Sequence, residues 1–244
     1  EVYKKELYNQ YIREVGFDYL YDKSGLYDSL RAVVEKSVND NGMPVDLWQS
    51  ATGITRSWQF LNDLQPYMLN FLENHDEQRY ASEYFGKDSS TFAALYTSLY
   101  INTAPFMIYF GEEVGEKGMD EEGFSGRDGR TTIFDWWSVG SIRRLRKLIA
   151  SGEYRSQSKS KLVKAGLKPE EAEVFMHFAQ ITRFASSDEA VGNGTTYDLC
   201  YCNSSSEGFD KNRHFIFLRD YEEHTLLIAA NFSNHEAKMK IHLP

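Results

Sequence analysis

The stretch YMLNFLENHDEQR, from Tyr67 to Arg79, joins an apolar segment directly to an almost unbroken polar one. In parallel α/β folds, functional side chains lie at the carboxyl ends of the strands. The stretch therefore predicts a buried strand whose end presents Asn74, His75 and Asp76 as candidate site residues. The alternative is structural, because a lone His–Asp pair is more often a surface or supporting hydrogen bond than part of a site.

The segments around this stretch alternate between strand and helix patterns. Apolar residues at helical spacing predict helices over 4–15, 26–38, 44–64 and 89–103. Short apolar runs predict strands at FDYLY and PFMIYF, and EVY at the start is typical of the tail of a strand. Strands separated by helices in this way favour parallel βα units.

Acidic residues collect at the predicted strand ends. Glu112 and Glu113 follow PFMIYF, and Glu1 stands at the same rim if EVY ends a strand. Glycoside hydrolysis needs a protonated carboxylic acid at the leaving oxygen and a negative charge that stabilises an oxocarbenium-like state. Carboxylates and a histidine on one rim suit that reaction. A metal site fits less well, because no further His or Cys lies nearby at ligand spacing.

The pattern changes near residue 192. Helices are predicted over 140–150 and 169–184, with loops at SQSKSK and SSDEAVGNG. Four strand-like runs without a long helix then predict antiparallel pairing: TTYDLCYC, HFIFLRDY, HTLLIAANF and AKMKIHL. Cys200 and Cys202 lie two apart on the first run, where they would share a face, so we interpret them as free thiols.

Composition limits the partners of this chain. Its 244 residues carry a net charge of −9 with a pI near 5.2, which argues against nucleic acid and anionic membrane. No run approaches the roughly 18 apolar residues that span a membrane. The chain starts with Glu1 rather than Met, so we expect that its natural N-terminus is missing. The compartment does not follow from the sequence.

Three motifs, in chain order, resemble signatures of the α-amylase family of glycoside hydrolases. FLENHDEQRYAS is similar to the strand-seven signature, and PFMIYFGEEVGE resembles the strand-eight signature that follows it. EVYKKELY resembles the strand-five signature, whose first residue is the catalytic glutamic acid. RHFIFLRDYEEHTLLIAANFS is similar to the antiparallel C-terminal domain of the family.

The resemblance implies an α/β fold class, the second half of a TIM (β/α)8 barrel followed by an antiparallel β-sandwich. Residues 1–192 would run from the end of strand five to helix eight, and 193–244 would form an incomplete C-terminal domain. The implied activity is retaining hydrolysis of α-glucosidic bonds, α-1,4 in particular, in starch-like glucans. A transglycosylase or isomerase of the same family, or a non-catalytic glucan-binding protein, are the alternatives.

The resemblance also assigns roles to individual residues. Glu1 would be the general acid/base, and Asp76 the second, non-nucleophilic carboxylate, which holds the sugar ring and stabilises the transition state. His75 would hydrogen-bond the same sugar, with Asn74 and Arg79 as supporting substrate-binding residues. The family nucleophile is an aspartate on strand four, which this chain does not contain, so the chain alone is expected to be inactive.

The strand-eight motif departs from the family pattern in one place. Pro105 and Tyr109 enclose three residues, where the family usually has two. Glu113 aligns with the strand-eight glutamate, which we interpret as structural. No metal ligand is expected in this chain, although calcium is possible in the intact parent, and the expected partner is an oligo- or polysaccharide.

Overall fold

The structure is a computed structural model that describes residues 2, 4–38, 54, 58–82, 90–101, 103–118, 139–233 and 235–244. Their contacts group the chain into two compact units. The first unit comprises Glu1–Leu72, Asp88–Met107 and Ala185–Pro244, and the second comprises Glu73–Lys87 and Ile108–Phe184. Glu1 lies outside the described residues, as does most of the predicted helix over 44–64.

Three short parallel strands lie in the first unit. They are β1 (Leu20–Tyr21), β2 (Met68–Phe71) and β3 (Phe106–Met107), with β2 in the middle. Both pairings are parallel, which confirms the predicted arrangement. The outer strands are shorter than FDYLY and PFMIYF suggest, since each pairs with β2 over only two residues.

Helices precede and follow these strands, as the apolar spacing predicts. The first helical segment ends at Gly16, whose φ of 89° is a left-handed conformation that glycine adopts without strain. A buried cluster packs this segment against the strands through Tyr8, Ile12, Leu20 and Met68, among others. The helical segments before residue 110 are Lys5–Leu7, Tyr8–Gln10, Tyr11–Val15, Lys23–Tyr27, Asp28–Val38, Asn62–Tyr67 and Ser90–Tyr100.

The second unit is mainly helical in its described part. Its core joins Val114, Leu145, Leu148, Leu162 and Ala172. Its helical segments are Glu112–Val114, Gly140–Ser151, Glu153–Arg155, Lys159–Lys164 and Pro169–Ser187, the last of which continues into the first unit. A loop was predicted at SQSKSK, so the helix Lys159–Lys164 corrects that prediction.

An antiparallel sheet completes the first unit. It consists of β4 (Thr195–Asp198), β5 (His214–Tyr221) and β6 (His224–Asn231), with β5 in the middle. Both pairings are antiparallel, which confirms the prediction for this part of the chain. The division into domains at residue 192 stays a prediction.

Three local predictions near this sheet are wrong. The loop SSDEAVGNG contains a helix, Glu189–Asn193, because the Asp188 carboxylate accepts the Val191 N–H at 3.1 Å and caps it. The first strand stops at Asp198, whose carboxylate accepts the Cys200 N–H at 2.8 Å and starts the helix Cys200–Asn203. Both cysteines are nevertheless free, as predicted.

The last predicted strand, AKMKIHL, is also absent from the described residues 235–244. Backbone groups of this segment bond to the region of the Cys200–Asn203 helix instead. The Lys240 N–H donates to the Glu207 carbonyl at 2.9 Å, and the His242 N–H donates to Asn203 Oδ1 at 2.8 Å. Among all described residues, no helix has the length and apolar character needed to cross a membrane.

Candidate active site

The polar run after β2 is mostly buried, although it contains charged residues. Glu73, Asn74 and Arg79 are 2% exposed or less, while the His75 and Asp76 side chains are 50% and 52% exposed. An ordinary solvated loop would expose all of these side chains, since charged residues are rarely buried unless they are paired. The run therefore exposes the neighbouring side chains of His75 and Asp76, while the residues around them are buried.

A buried ion pair between Glu73 and Arg79 connects the two ends of the run. The Arg79 Nη1 donates to Glu73 Oε2 at 2.7 Å, and the Tyr80 N–H donates to Glu73 Oε1 at 2.7 Å. Each oxygen of the Glu73 carboxylate thus accepts one bond from the other end of the run, from Arg79 and from Tyr80, six and seven residues later in the chain. Burial raises the pKa of Glu73, while the adjacent Arg79 guanidinium acts to lower it.

A side-chain turn fixes the backbone beneath the exposed pair. Asn74 Oδ1 accepts the N–H of Asp76 at 2.9 Å and the N–H of Glu77 at 3.0 Å. Asparagine commonly stabilises turns in this way, since its short side chain replaces a backbone acceptor. The buried position of Asn74 is explained by this turn.

The exposed pair itself combines an imidazole with a carboxylate. His75 Nε2 lies 3.2 Å from Asp76 Oδ2, and both groups reach solvent. A carboxylate accepts hydrogen bonds from hydroxyl groups, and an imidazole can donate or accept them. This pair can therefore bind a polyhydroxylated ligand, and its carboxylate can stabilise a positive charge that develops on that ligand.

Arg79 also joins the run to the segment after β3. Its Nη2 donates to the Phe110 carbonyl at 2.8 Å, and its guanidinium carbon lies 4.4 Å from the centroid of the Tyr109 ring. A guanidinium over an aromatic face gains favourable electrostatic energy, more so when water is excluded. Arg79 thus ties together two segments that the sequence places at the ends of neighbouring strands.

The glutamates of the second segment are largely buried. Glu112 is buried, and its Oε2 accepts the Tyr109 N–H at 3.1 Å. Burial raises the pKa of Glu112 well above its ordinary value, and the negative charge of Glu73 raises it further.

Burial also raises the pKa of Glu113 and of Glu116. Glu116 accepts hydrogen bonds from the Gly118 N–H and the Ser141 hydroxyl.

The described residues bring together four of the five predicted site residues and leave Glu1 outside them. The side chains of His75 and Asp76 are half exposed, whereas Asn74 and Arg79 are buried. Sequence reasoning missed Glu73 as the partner of Arg79. The available signal was the pair of opposite charges that brackets the run.

No cluster of three or more His, Cys, Asp or Glu side chains suited to a metal occurs within the described residues.

Comparison with known proteins gives a likeness in structure only. No family model matches the sequence, and no curated protein matches it. The crystal structure of AmyP in complex with maltose matches with a TM-score of 0.53 at 14% identity, over 91% of this chain and 43% of that chain. A variant of AmyP in complex with maltotriose matches with a TM-score of 0.54 at 14% identity, over 92% and 43%.

A third structure, a maltogenic alpha-amylase named AmyB from Thermotoga neapolitana, has a TM-score of 0.49 at 15% identity, over 91% of this chain and 39% of that one. The chain therefore spans about two fifths of the length of the proteins that it matches. At 14% identity the likeness to AmyP is one of fold. Over about 90% of its length, this chain is similar in fold to part of AmyP.

Proposed function

We propose that this chain is the C-terminal part of a retaining glycoside hydrolase of the α-amylase type. Its substrates would be starch-like glucans, in which it cleaves α-glucosidic and especially α-1,4 bonds. The observation that carries the proposal is the exposed His75–Asp76 pair, held at 3.2 Å on a run whose ends are tied by the buried Glu73 and Arg79. The likeness of fold to AmyP, solved with maltose and maltotriose, supports this class of ligand.

In this proposal, Asp76 accepts hydrogen bonds from ring hydroxyls of the glucose unit at the cleaved bond. Its negative charge lowers the energy of the oxocarbenium-like transition state, because the charge is already in place before the positive charge develops. His75 hydrogen-bonds the same sugar. The buried pair of Glu73 and Arg79, together with Asn74, limits the motion of both groups, and such positioning contributes to catalysis.

The remaining chemistry is assigned by resemblance. Glu1 would protonate the leaving oxygen and later activate water, while the nucleophile would come from an aspartate outside these 244 residues. Residues 1–192 would belong to the catalytic barrel and 193–244 to the C-terminal β domain. Because the nucleophile is outside this chain, we predict that the 244 residues alone do not turn over maltoheptaose, whereas the full-length gene product does. Calcium in that full-length protein stays a prediction.

The decisive variant is Asp76→Asn in the full-length protein. We expect kcat on maltoheptaose to fall by about a thousandfold or more, since the lost charge acts mainly in the transition state. The urea midpoint should change little, because the Asp76 side chain is half exposed. Asp18→Asn is the matched control, an exposed aspartate far along the sequence from the run, and it should leave kcat unchanged. A loss of less than tenfold in Asp76→Asn contradicts the assigned role.

The products of the same assay separate the alternatives. Hydrolysis creates one new reducing end for each bond cleaved, whereas a transglycosylase or isomerase conserves the number of glycosidic bonds. A full-length protein that binds maltoheptaose without changing it would be a glucan-binding protein, and this outcome would overturn the proposed hydrolysis.

A further inference from the structure

The antiparallel sheet of the first unit carries an apolar row across its exposed face. The register pairs Tyr197 of β4 with Leu218 of β5, and Leu218 with Leu227 of β6. Tyr197 is 51% exposed and Leu227 is 45% exposed. The other face of the sheet is buried through residues such as Phe217. An exposed aromatic ring within an apolar row is a common feature of binding surfaces, since a solvated sheet face usually carries polar side chains.

A pocket of about 620 Å³ adjoins this row, within the same unit. Its walls include Tyr197 and Leu218 together with Trp58 and Tyr201. Tyr201, on the helix Cys200–Asn203, is 70% exposed. Pockets that hold small ligands measure about 300 to 1,000 Å³ and combine aromatic walls with a few polar groups. The size and the three aromatic rings therefore fit a ligand of one to a few rings.

The polar groups of the pocket are oriented acceptors. Asp198 Oδ1 accepts the Cys200 N–H at 2.8 Å, and Asp220 Oδ1 accepts the Thr225 hydroxyl. One bond to each carboxylate restricts its rotation. The register pairs Asp220 with Thr195 and Thr225, which places Asp220 on the same face as Tyr197 and Leu218, whereas Asp198 pairs with Phe217 on the opposite face. Among the described residues that line the pocket, none is Lys, Arg or His. Phosphates, sulfates and acidic sugars are disfavoured there, because the Asp220 carboxylate would repel them.

We infer that this pocket is a second carbohydrate-binding site, built from residues entirely different from those of the His75–Asp76 run. A neutral sugar ring has an apolar C–H face, which packs on Tyr197, Tyr201 or Trp58, and hydroxyl groups, which donate to Asp220. The choice of an α-glucan as the ligand rests on the proposed function. The site would hold a glucan chain at a surface that carries out no chemistry.

The test uses the full-length protein carrying Asp76→Asn, so that maltoheptaose is not consumed during titration calorimetry. In this background we expect Tyr201→Ala, and Tyr201→Ala combined with Tyr197→Ala, to raise the Kd of the second binding event by about tenfold or more, because truncated aromatic anchors usually dominate such losses. Tyr201→Phe should keep most of the binding, since it retains the ring. Tyr154→Ala is the matched control, a tyrosine that is 38% exposed and lies outside the pocket.

The outcomes separate this inference from the proposed function. The second site is overturned if Tyr201→Ala leaves the Kd unchanged, or if the titration shows a single binding event. Neither result affects the proposed hydrolysis by the protein that retains Asp76. Binding of cellohexaose but not maltoheptaose, lost in Tyr201→Ala, would support the pocket and contradict the proposed α-glucan specificity. Because Tyr201 is 70% exposed, its substitution should leave folding intact, which circular dichroism would verify.

Discussion

Two arginines of this chain are almost completely buried, and their positive charges are stabilised by different kinds of partner. Arg79 is 0% exposed and pairs with the Glu73 carboxylate at 2.7 Å. Arg219 is 1% exposed and bonds to neutral oxygens: the carbonyls of Ala190 and Val191 and the hydroxyl of Thr196. Within the part of the chain that the structure describes, no ion pair links Arg219 to a carboxylate. A buried guanidinium thus serves either as one half of an ion pair or as a cap for carbonyl groups.

The cap works because of where the carbonyls lie. Ala190 and Val191 belong to the helix Glu189–Asn193, and the last carbonyls of a helix have no partner within it and carry partial negative charge. Burial lowers the pKa of Arg219 to about 10, so the guanidinium stays charged at neutral pH. The helix end therefore supplies, through dipoles, part of what Glu73 supplies to Arg79 as a full charge.

The comparison is tested most strongly at Arg79. Arg79→Met would leave the Glu73 carboxylate buried beside other glutamates without its counter-charge. We expect the free energy of unfolding to fall by about 3 to 5 kcal/mol, as measured by urea unfolding, because an uncompensated buried charge is strongly destabilising. Adding Glu73→Gln to Arg79→Met should recover part of this loss. If the double variant is as unstable as the single one, charge compensation is not the main role of the pair.

A smaller loss is expected at Arg219. Arg219→Met removes the buried charge together with its bonds. The Val191 carbonyl loses this donor, whereas the Ala190 carbonyl keeps the Gly194 N–H at 2.9 Å. We expect a loss of about 1 to 3 kcal/mol in the same urea experiment, the usual effect of a buried acceptor that loses its donor. An effect equal to that of Arg79→Met would show that helix carbonyls compensate a guanidinium as fully as a carboxylate does.

The two arginines also differ in how far the sequence predicts them. Arg79 lies within a recognisable motif, so a supporting role was expected. Its bond to Glu73, however, depends on a loop that brings together two residues six positions apart. Arg219 was not singled out. The signal was present, because Phe215, Phe217 and Arg219 alternate along β5 and so share its buried face. A charged residue at that position of an apolar strand predicts a buried partner.

Local periodicity explains what the sequence predicts well and what it does not. Parallel strands, most helices and the antiparallel hairpin follow from apolar spacing within each segment. The strand predicted through Cys200 fails because a single side-chain bond, from the Cys200 N–H to Asp198, redirects the backbone. The exposure of His75 and Asp76 beside buried neighbours is likewise set by contacts between residues several positions apart. Alternation alone does not specify such contacts.

Asp22 extends the comparison to a buried carboxylate that caps a helical segment through one backbone N–H bond. It lies directly after β1, is 1% exposed, and accepts the Leu26 N–H at 2.9 Å through Oδ2. Burial raises the pKa of Asp22 from 3.8 to about 7, and this outweighs the lowering effect of the Leu26 bond. The described residues give Asp22 no ion pair, in contrast to Glu73.

This pKa sets the sign of a pH effect. Between pH 3.8 and about 7 the folded chain keeps a proton on Asp22 that the unfolded chain releases. Stability due to this group is therefore complete below the lower value and is lost as pH rises through the upper one. Asp22→Asn keeps an acceptor for the Leu26 N–H but cannot ionise. The difference in unfolding free energy between variant and wild type should shift by about 1 kcal/mol in favour of the variant between pH 6 and pH 7. Urea unfolding at both pH values measures this shift, and parallel pH curves would show that Asp22 is already ionised in the fold.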